Sequence, residues 1–227
     1  MRFRLQISVL FLLVSVVLFS NCATTSGPVL IGSLGDTTFN QLAAKGEVLF
    51  LLPPHMTFED VATETPLPPD SQGGDQVQAV MMSTVFEGLQ VSGFRVLTLD
   101  SVETNAQPST DNIIQRLNEE CRVLTSVTKN KSALLPLLSQ LAEITGASVA
   151  CVHTVRAKIG TGAMYDPIFS GAMRQGTSSS TINVVLVSLK NGDIVWSNVS
   201  FVRHKPTSNE FKKAVKMLFE TSKKRRN

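Results

Sequence analysis

Histidine, cysteine, tryptophan and tyrosine are scarce in this chain: 3 His, 3 Cys, 1 Trp and 1 Tyr among 227 residues. The histidines stand at 55, 153 and 204 and the cysteines at 22, 121 and 151, so no Cys/His spacing describes a metal site. No Gly-x-Ser-x-Gly elbow occurs, and no Walker lysine follows the glycine-rich Gly160-Thr161-Gly162. Asp111, Glu119 and Glu120 read more simply as a helix start and a solvated face than as an acid–base set. The expectation is a non-catalytic protein with no metal and no cofactor. Charge is also modest, 17% against 43% hydrophobic, which fits a globular chain and not a disordered one. A full membrane span is missing too. The apolar run Leu5 to Ser20, interrupted only by Gln6, Ser8, Ser15 and Ser20, has 16 residues, and a bilayer-crossing helix wants roughly 20.

That run follows Met1-Arg2-Phe3-Arg4 and ends at Asn21-Cys22. Basic start, apolar stretch and short polar exit are the three parts of a secretory signal. Phe19-Ser20-Asn21-Cys22 resembles the lipobox of bacterial lipoproteins. Ser20 is in keeping with it, Leu18 stands one place too early, and Phe19 and Asn21 depart from the usual pattern. The resemblance implies cleavage before Cys22 and acylation, with palmitate-type chains, of that cysteine. Each buried methylene then adds about 0.8 kcal/mol of membrane affinity. Two alternatives stay open: cleavage at a small-x-small site to give a soluble protein, and an uncleaved anchor. Ala23 is not the aspartate that retains lipoproteins in the inner membrane, so the analogy favours an outer-membrane anchor facing the periplasm.

The chain divides into a signal peptide (1–21), a lipidated cysteine and flexible tether (22–46), a single α/β domain (47–222) and a basic tail (223–227). Without the signal there are 19 basic and 18 acidic residues, unevenly placed. From Lys205 onward, eight are basic and two acidic. With Cys22 acylated, Cys121 and Cys151 remain. They form either a disulfide, which an exported protein permits, or two buried thiols.

Periodicity supplies the elements. Residues 29–46 have no clear period and read as tether, with a short edge element as an option. Val48 to Leu52 is a continuous apolar run suited to a strand buried on both faces, and Pro53-Pro54 stop its ladder. The next stretch, to Gly74, reads as a loop. Val77, Val80, Met81, Thr84, Val85 and Leu89 recur at helical spacing before Gly93. Phe94 to Leu99 reads as a strand. A helix carrying Ile113, Ile114, Leu117 and Cys121 follows, and another carries Leu134, Leu137, Leu138, Leu141 and Ile144, with Pro136 in its first turn. Ala147 to Lys158 is a strand. Thr181–Leu189 and Ile194–Val202 flank Asn191-Gly192, a type I′ hairpin signal. Thr207 to Glu210 reads as a capping box for a last helix whose apolar face is Phe211, Ala214, Val215, Leu218 and Phe219. The fold class is α/β (α+β): a mixed sheet of about five strands with helices packed on it, ending in an antiparallel hairpin and a C-terminal helix.

This order resembles a group of envelope lipoproteins that includes the curli secretion lipoprotein CsgG and the penicillin-binding-protein activator LpoB. The residues that carry the likeness are Val48 to Pro54, Gly93 before Phe94–Leu99, Ile144-Thr145-Gly146-Ala147 before the next strand, and Lys190-Asn191-Gly192-Asp193-Ile194-Val195-Trp196. The resemblance implies a lipoprotein that binds an envelope partner, a cell-wall synthase or a transport or secretion complex. A homo-oligomeric secretion subunit is the alternative, and an exported enzyme is the third reading. Export makes nucleic acid a poor partner. Two stretches are candidate partner surfaces. One is Met164, Tyr165, Ile168 and Phe169 in the insert 160–180, which carries more apolar residues than a solvated loop needs. The other is Lys223-Lys224-Arg225-Arg226, suited to anionic lipid or an acidic partner, or to no more than solubility.

Overall fold

The computed structural model describes residues 28–70, 73–101, 112, 115–116, 131–160, 163–165, 173–175, 178–206 and 208–224. Along the chain they form β1 (Val29–Leu34), α1 (Asp36–Ala44), β2 (Val48–Leu51), β3 (His55–Asp60), β4 (Pro66–Leu67), α2 (Gly74–Ser92) and β5 (Arg95–Leu97). After them come α3 (Lys131–Thr145), β6 (Val149–Ile159), β7 (Ala163–Tyr165), β8 (Met173–Gln175), β9 (Ser179–Ser188), β10 (Ile194–Val202) and α4 (Asn209–Lys224). The helix expected around Ile113 to Cys121 lies outside the described residues, apart from positions 112, 115 and 116.

The eleven-residue β6 is the spine of a mixed sheet ordered β1-β10-β9-β6-β2-β5. β9 runs antiparallel along one edge of it, from Val149↔Ser188 to Lys158↔Ser179. The other edge is shared. β2 pairs in parallel with the first residues of β6, and β3 pairs in parallel from Thr154 to Ile159. The stretch from His55, read from sequence as loop, therefore returns to the sheet. Pro53 and Pro54 stop the ladder for two residues only. Beyond them β6 still presents backbone groups that need partners, and His55–Asp60 supplies them. The strand then ends in a turn in which Asp60 Oδ1 accepts from the amides of Ala62 (2.8 Å) and Thr63 (2.9 Å).

Alternation along the strands divides the core between the two faces. Leu49 and Leu51 join α1, α2 and α4 on one side, with Phe39, Met81, Val85, Leu89, Phe211, Leu218 and Phe219. Phe50 and Leu52 face the other side, where Leu134, Leu137, Leu138 and Leu141 of α3 pack on Ala150, Val152, Val185 and Val187. The opposite placement of α2 and α3 follows from handedness. The crossover from β2 to β5 moves outward and the one from β5 to β6 moves back over β2, so two right-handed crossovers fall on opposite faces. Two details of α3 differ from the sequence reading. Ile144 is 37% exposed, and Pro136 stands in the second turn because the helix begins at Lys131.

The segment from Val29 to Ala44, read as tether, is folded. β1 pairs antiparallel with β10, and α1 places Phe39 fully in the core. The segment shows no helical period because α1 is only nine residues long and just two of its residues, Phe39 and Ala43, are buried. Gly35 joins the two elements with φ of +79°, and a Cβ there would stand 2.2 Å from the Val195 carbonyl oxygen. Val195 is itself a bulge in β10, where the register shifts between Ile194 and Trp196.

The β9–β10 hairpin forms where expected but closes differently. Only Gly192 of the Asn-Gly pair takes positive φ (68°), and the Gly192 amide donates to the Ser188 carbonyl at 2.8 Å. This is a five-residue connection and not a type I′ turn. Its Asn191 Oδ1 accepts from the Asp193 amide. At α4, Ser208 Oγ accepts from the Phe211 amide at 3.1 Å, so Ser208 is the cap. Thr207, the residue expected there, lies outside the described residues. All five expected core residues of α4 are buried.

Candidate anchoring and partner surfaces

Cys22 and the signal segment lie outside the described residues, and the fold begins at Val29. Six residues, 23–28, therefore separate the candidate acylated cysteine from the first strand. At full extension they span about 20 Å. Val29 pairs with Phe201 at the end of β10, which fixes where the tether leaves the sheet.

The insert 160–180 continues from that same end. β6 and β9 part at Lys158↔Ser179, Val202 lies opposite Ser180, and the Gly160 amide donates to Ser178 Oγ at 3.1 Å. The insert then forms a small ribbon, β7 antiparallel to β8, with Tyr165↔Met173 as its last described pair. Met164 and Tyr165 are on β7, while Ile168 and Phe169 lie outside the described residues. The described ribbon strands have three residues each. A strand that crosses a bilayer needs about 9–11.

The basic tail is at the opposite end. α4 folds back along β10: Asn198 Nδ2 donates to the Leu218 carbonyl at 2.7 Å, and Phe219 stacks on Trp196 at 5.8 Å. Its last turn, with Lys223 and Lys224, thus runs past the start of β10, away from Val29. Arg225 and Arg226 follow outside the described residues. The two candidate surfaces are therefore not one surface: the ribbon shares an end with the tether and the basic tail does not.

Between α2 and α4 lies an open cleft of about 180 Å³ lined by Thr84, Glu87, Gly88, Val91, Lys216, Phe219 and Glu220. It is smaller than the roughly 300–1,000 Å³ of small-molecule sites. Lys216 and Glu87 face each other across it at 3.9 Å.

Cys151 and His153 stand two residues apart on one face of β6, a pairing that invites comparison with a thiol nucleophile and its base. Both are fully buried. Burial pushes the Cys151 thiol far above its ordinary value and pushes the His153 imidazole down to about 4. A working pair needs the reverse, a thiolate beside an imidazolium. Cys151 is a free thiol, and Cys121 lies outside the described residues. His153 has a structural task. Its Nε2 lies 2.8 Å from the Leu52 carbonyl, the group at which the proline break interrupts the parallel ladder. That contact assigns the proton to Nε2 and leaves Nδ1 without a hydrogen-bond partner. Among the described residues no group of three His, Cys, Asp or Glu is placed to hold a metal ion, and no helix is long and apolar enough to cross a membrane.

The aromatic residues missed as a set in the sequence form one cluster. Phe39 meets Phe94 edge-on at 5.2 Å and Trp196 at 4.7 Å, and Trp196 Nε1 donates to Asp36 Oδ1 at 3.1 Å. The isolated tryptophan was the available signal, since a buried indole needs an acceptor.

No family model matches the chain, and no curated protein does. Among solved structures it is similar to the PelC dodecamer from Paraburkholderia phytofirmans, at 14% identity over 86% of this chain and 92% of that one, with a TM-score of 0.37. It is also similar to lipoprotein GNA1162 from Neisseria meningitidis, at 15% identity over 78% and 94%, TM-score 0.38. A third is the C-terminal domain of LpoB from Salmonella enterica, at 11% identity over 74% and 98%, TM-score 0.36. At these values the likenesses assign neither partner, assembly nor activity.

Proposed function

We propose that this protein is a non-catalytic lipoprotein of the cell envelope, held to the outer membrane on its periplasmic side through acylated Cys22, and that it binds a protein partner there. The observation that carries the reading is the arrangement at the N-terminus. Two arginines, an uncharged run and a cysteine are followed by six residues and then directly by the first strand of the fold. A cysteine so close to a folded domain, behind an export signal, serves best as an attachment point. The partner belongs to a cell-wall synthase or a transport or secretion complex, and the short tether keeps the attached end of β1 within about 20 Å of the membrane. The ribbon β7–β8, at the tether's end of the sheet, supplies the partner surface with Met164, Tyr165, Ile168 and Phe169. The buried pair Cys151 and His153 lends no support to the exported-enzyme reading, because both are inaccessible and shifted in the wrong directions.

The test is intact-mass measurement of the full-length protein extracted from its membranes in mild detergent, with crosslinking before extraction. Acyl chains on a form beginning at Cys22 and one recurrent crosslinked partner are expected. An unacylated protein removes the anchor. A partner still captured after Tyr165→Ser and Phe169→Ser removes the ribbon as its surface.

A further inference from the structure

The sheet guards its edges unequally. β5 is three residues long and carries the exposed Arg95, and β4 is two residues long, with prolines at 66, 68 and 69 around it. Short strands, charge and proline are the usual protection of an edge against further pairing. β1 has six residues, Val-Leu-Ile-Gly-Ser-Leu, with no charge and no proline, and among the described strands nothing pairs with its outer side. Among the described residues, four large hydrophobic side chains are exposed, and two are on this strand: Val29 at 51% and Leu34 at 62%.

We infer that β1 is a dimer edge, pairing antiparallel with β1 of a second copy about a twofold axis between Ile31 and Gly32. The register supports a second copy over an unrelated strand. Residues 29 and 34 are five apart and in a regular strand would face opposite ways. The bulge between Leu30 and Gly32 corrects this: Val29 pairs with Phe201 and Leu34 with Ser197, two residues on the same face of β10, opposite Trp196 and Val202. In the twofold pair Val29 lies directly across from Leu34 of the other copy and on the same face, so each exposed apolar side chain covers the other, twice. Leu30 lies across from Ser33, and no charges oppose. The two sheets become one continuous sheet across the axis. The two tethers leave at opposite ends of the strand pair, and both reach one bilayer when the twofold axis stands normal to it and the strands lie along the membrane.

The inference does not depend on acylation and is tested on the full-length protein in mild detergent by light scattering and directed crosslinking. A particle of two chains is expected. Leu34→Lys, which puts a charge opposite Val29 and another at its symmetry mate, should reduce it to one chain that still unfolds cooperatively, at a midpoint no longer dependent on protein concentration. Co-expressed Val29→Cys and Leu34→Cys forms should join in a disulfide, whereas Val29→Cys alone should not, because its two copies stand about 15 Å apart or more. The crosslink decides the matter if the lysine variant fails to fold. A single-chain particle, a ring of more than two chains, or a disulfide between two Val29→Cys copies overturns the proposal. An acylated monomer would overturn this inference alone, and an unacylated dimer would overturn only the anchor.

Discussion

At the scale of single residues, the buried His153 makes a measurable statement about pH. Its folded value of about 4 lies below its unfolded value near 6.5, because burial disfavours the charged ring more than the contact with Leu52 favours it. Between these two values the unfolded chain binds the proton and the folded one does not. Stability from this group is therefore complete above about pH 6.5 and is lost as pH falls toward 4, by on the order of 3 kcal/mol. Urea unfolding at pH 7, 5.5 and 4 should show that loss. His153→Gln, which retains a donor for the Leu52 carbonyl, should flatten the slope. Gly35 provides a second residue-scale test. Alanine there must adopt φ of +79° and meet the Val195 oxygen at 2.2 Å. A loss of about 2 kcal/mol or more is expected in thermal unfolding. Neither property was legible beforehand: a lone histidine in a strand and a lone glycine in an apparent tether carry no local pattern.

At the scale of elements, legibility followed the strength of the local period. α4 buries all five residues its spacing named and α2 buries all of its set but the half-buried Val80, because a helix of four or more turns repeats its apolar face often enough to be read. The hairpin was legible from two β-branched runs around Asn191-Gly192, but its turn type was not, since Asn191 remains at negative φ when the connection is five residues. β3 was hidden by the prolines before it. What makes it a strand is the unfilled edge of β6, about 100 residues later in the chain. β1 was hidden similarly, because its only described ladder partner is β10 at the other end of the sequence. Of the candidate surfaces, the apolar content of the insert was visible, but its position beside the tether depends on strand pairing and was not. The α4 cap offers a check at this scale. Ser208→Ala removes the acceptor of the Phe211 amide and should cost about 1 kcal/mol in chemical denaturation, with the midpoint shifted and the slope unchanged.

At the scale of the whole molecule, the tether and the basic tail mark opposite ends of the sheet. α4 has 16 residues, so it is about 24 Å long. A tail at its far end is poorly placed to assist attachment at the near end. Replacing Lys223, Lys224, Arg225 and Arg226 together with Gln should leave the membrane-bound fraction unchanged in a high-salt wash, whereas Cys22→Ala should release the protein. Release by the tail substitution would mean that the tail itself lies against lipid. The same polarity gives a partner two separate approaches: through the ribbon at the tether's end of the sheet, or through the tail at the other end.

The pairing of β1 with β10 also has a consequence in time. Val29 emerges early during synthesis, yet Phe201, its partner, follows some 170 residues later. At roughly 5–20 residues per second the first strand waits on the order of ten seconds or more before its ladder exists. Pairings so distant in sequence are slow to close even when the whole chain is present. Under the anchored reading proposed above, attachment at Cys22 can therefore precede folding, and the domain would assemble already moored, with β10 completing the sheet that β1 began.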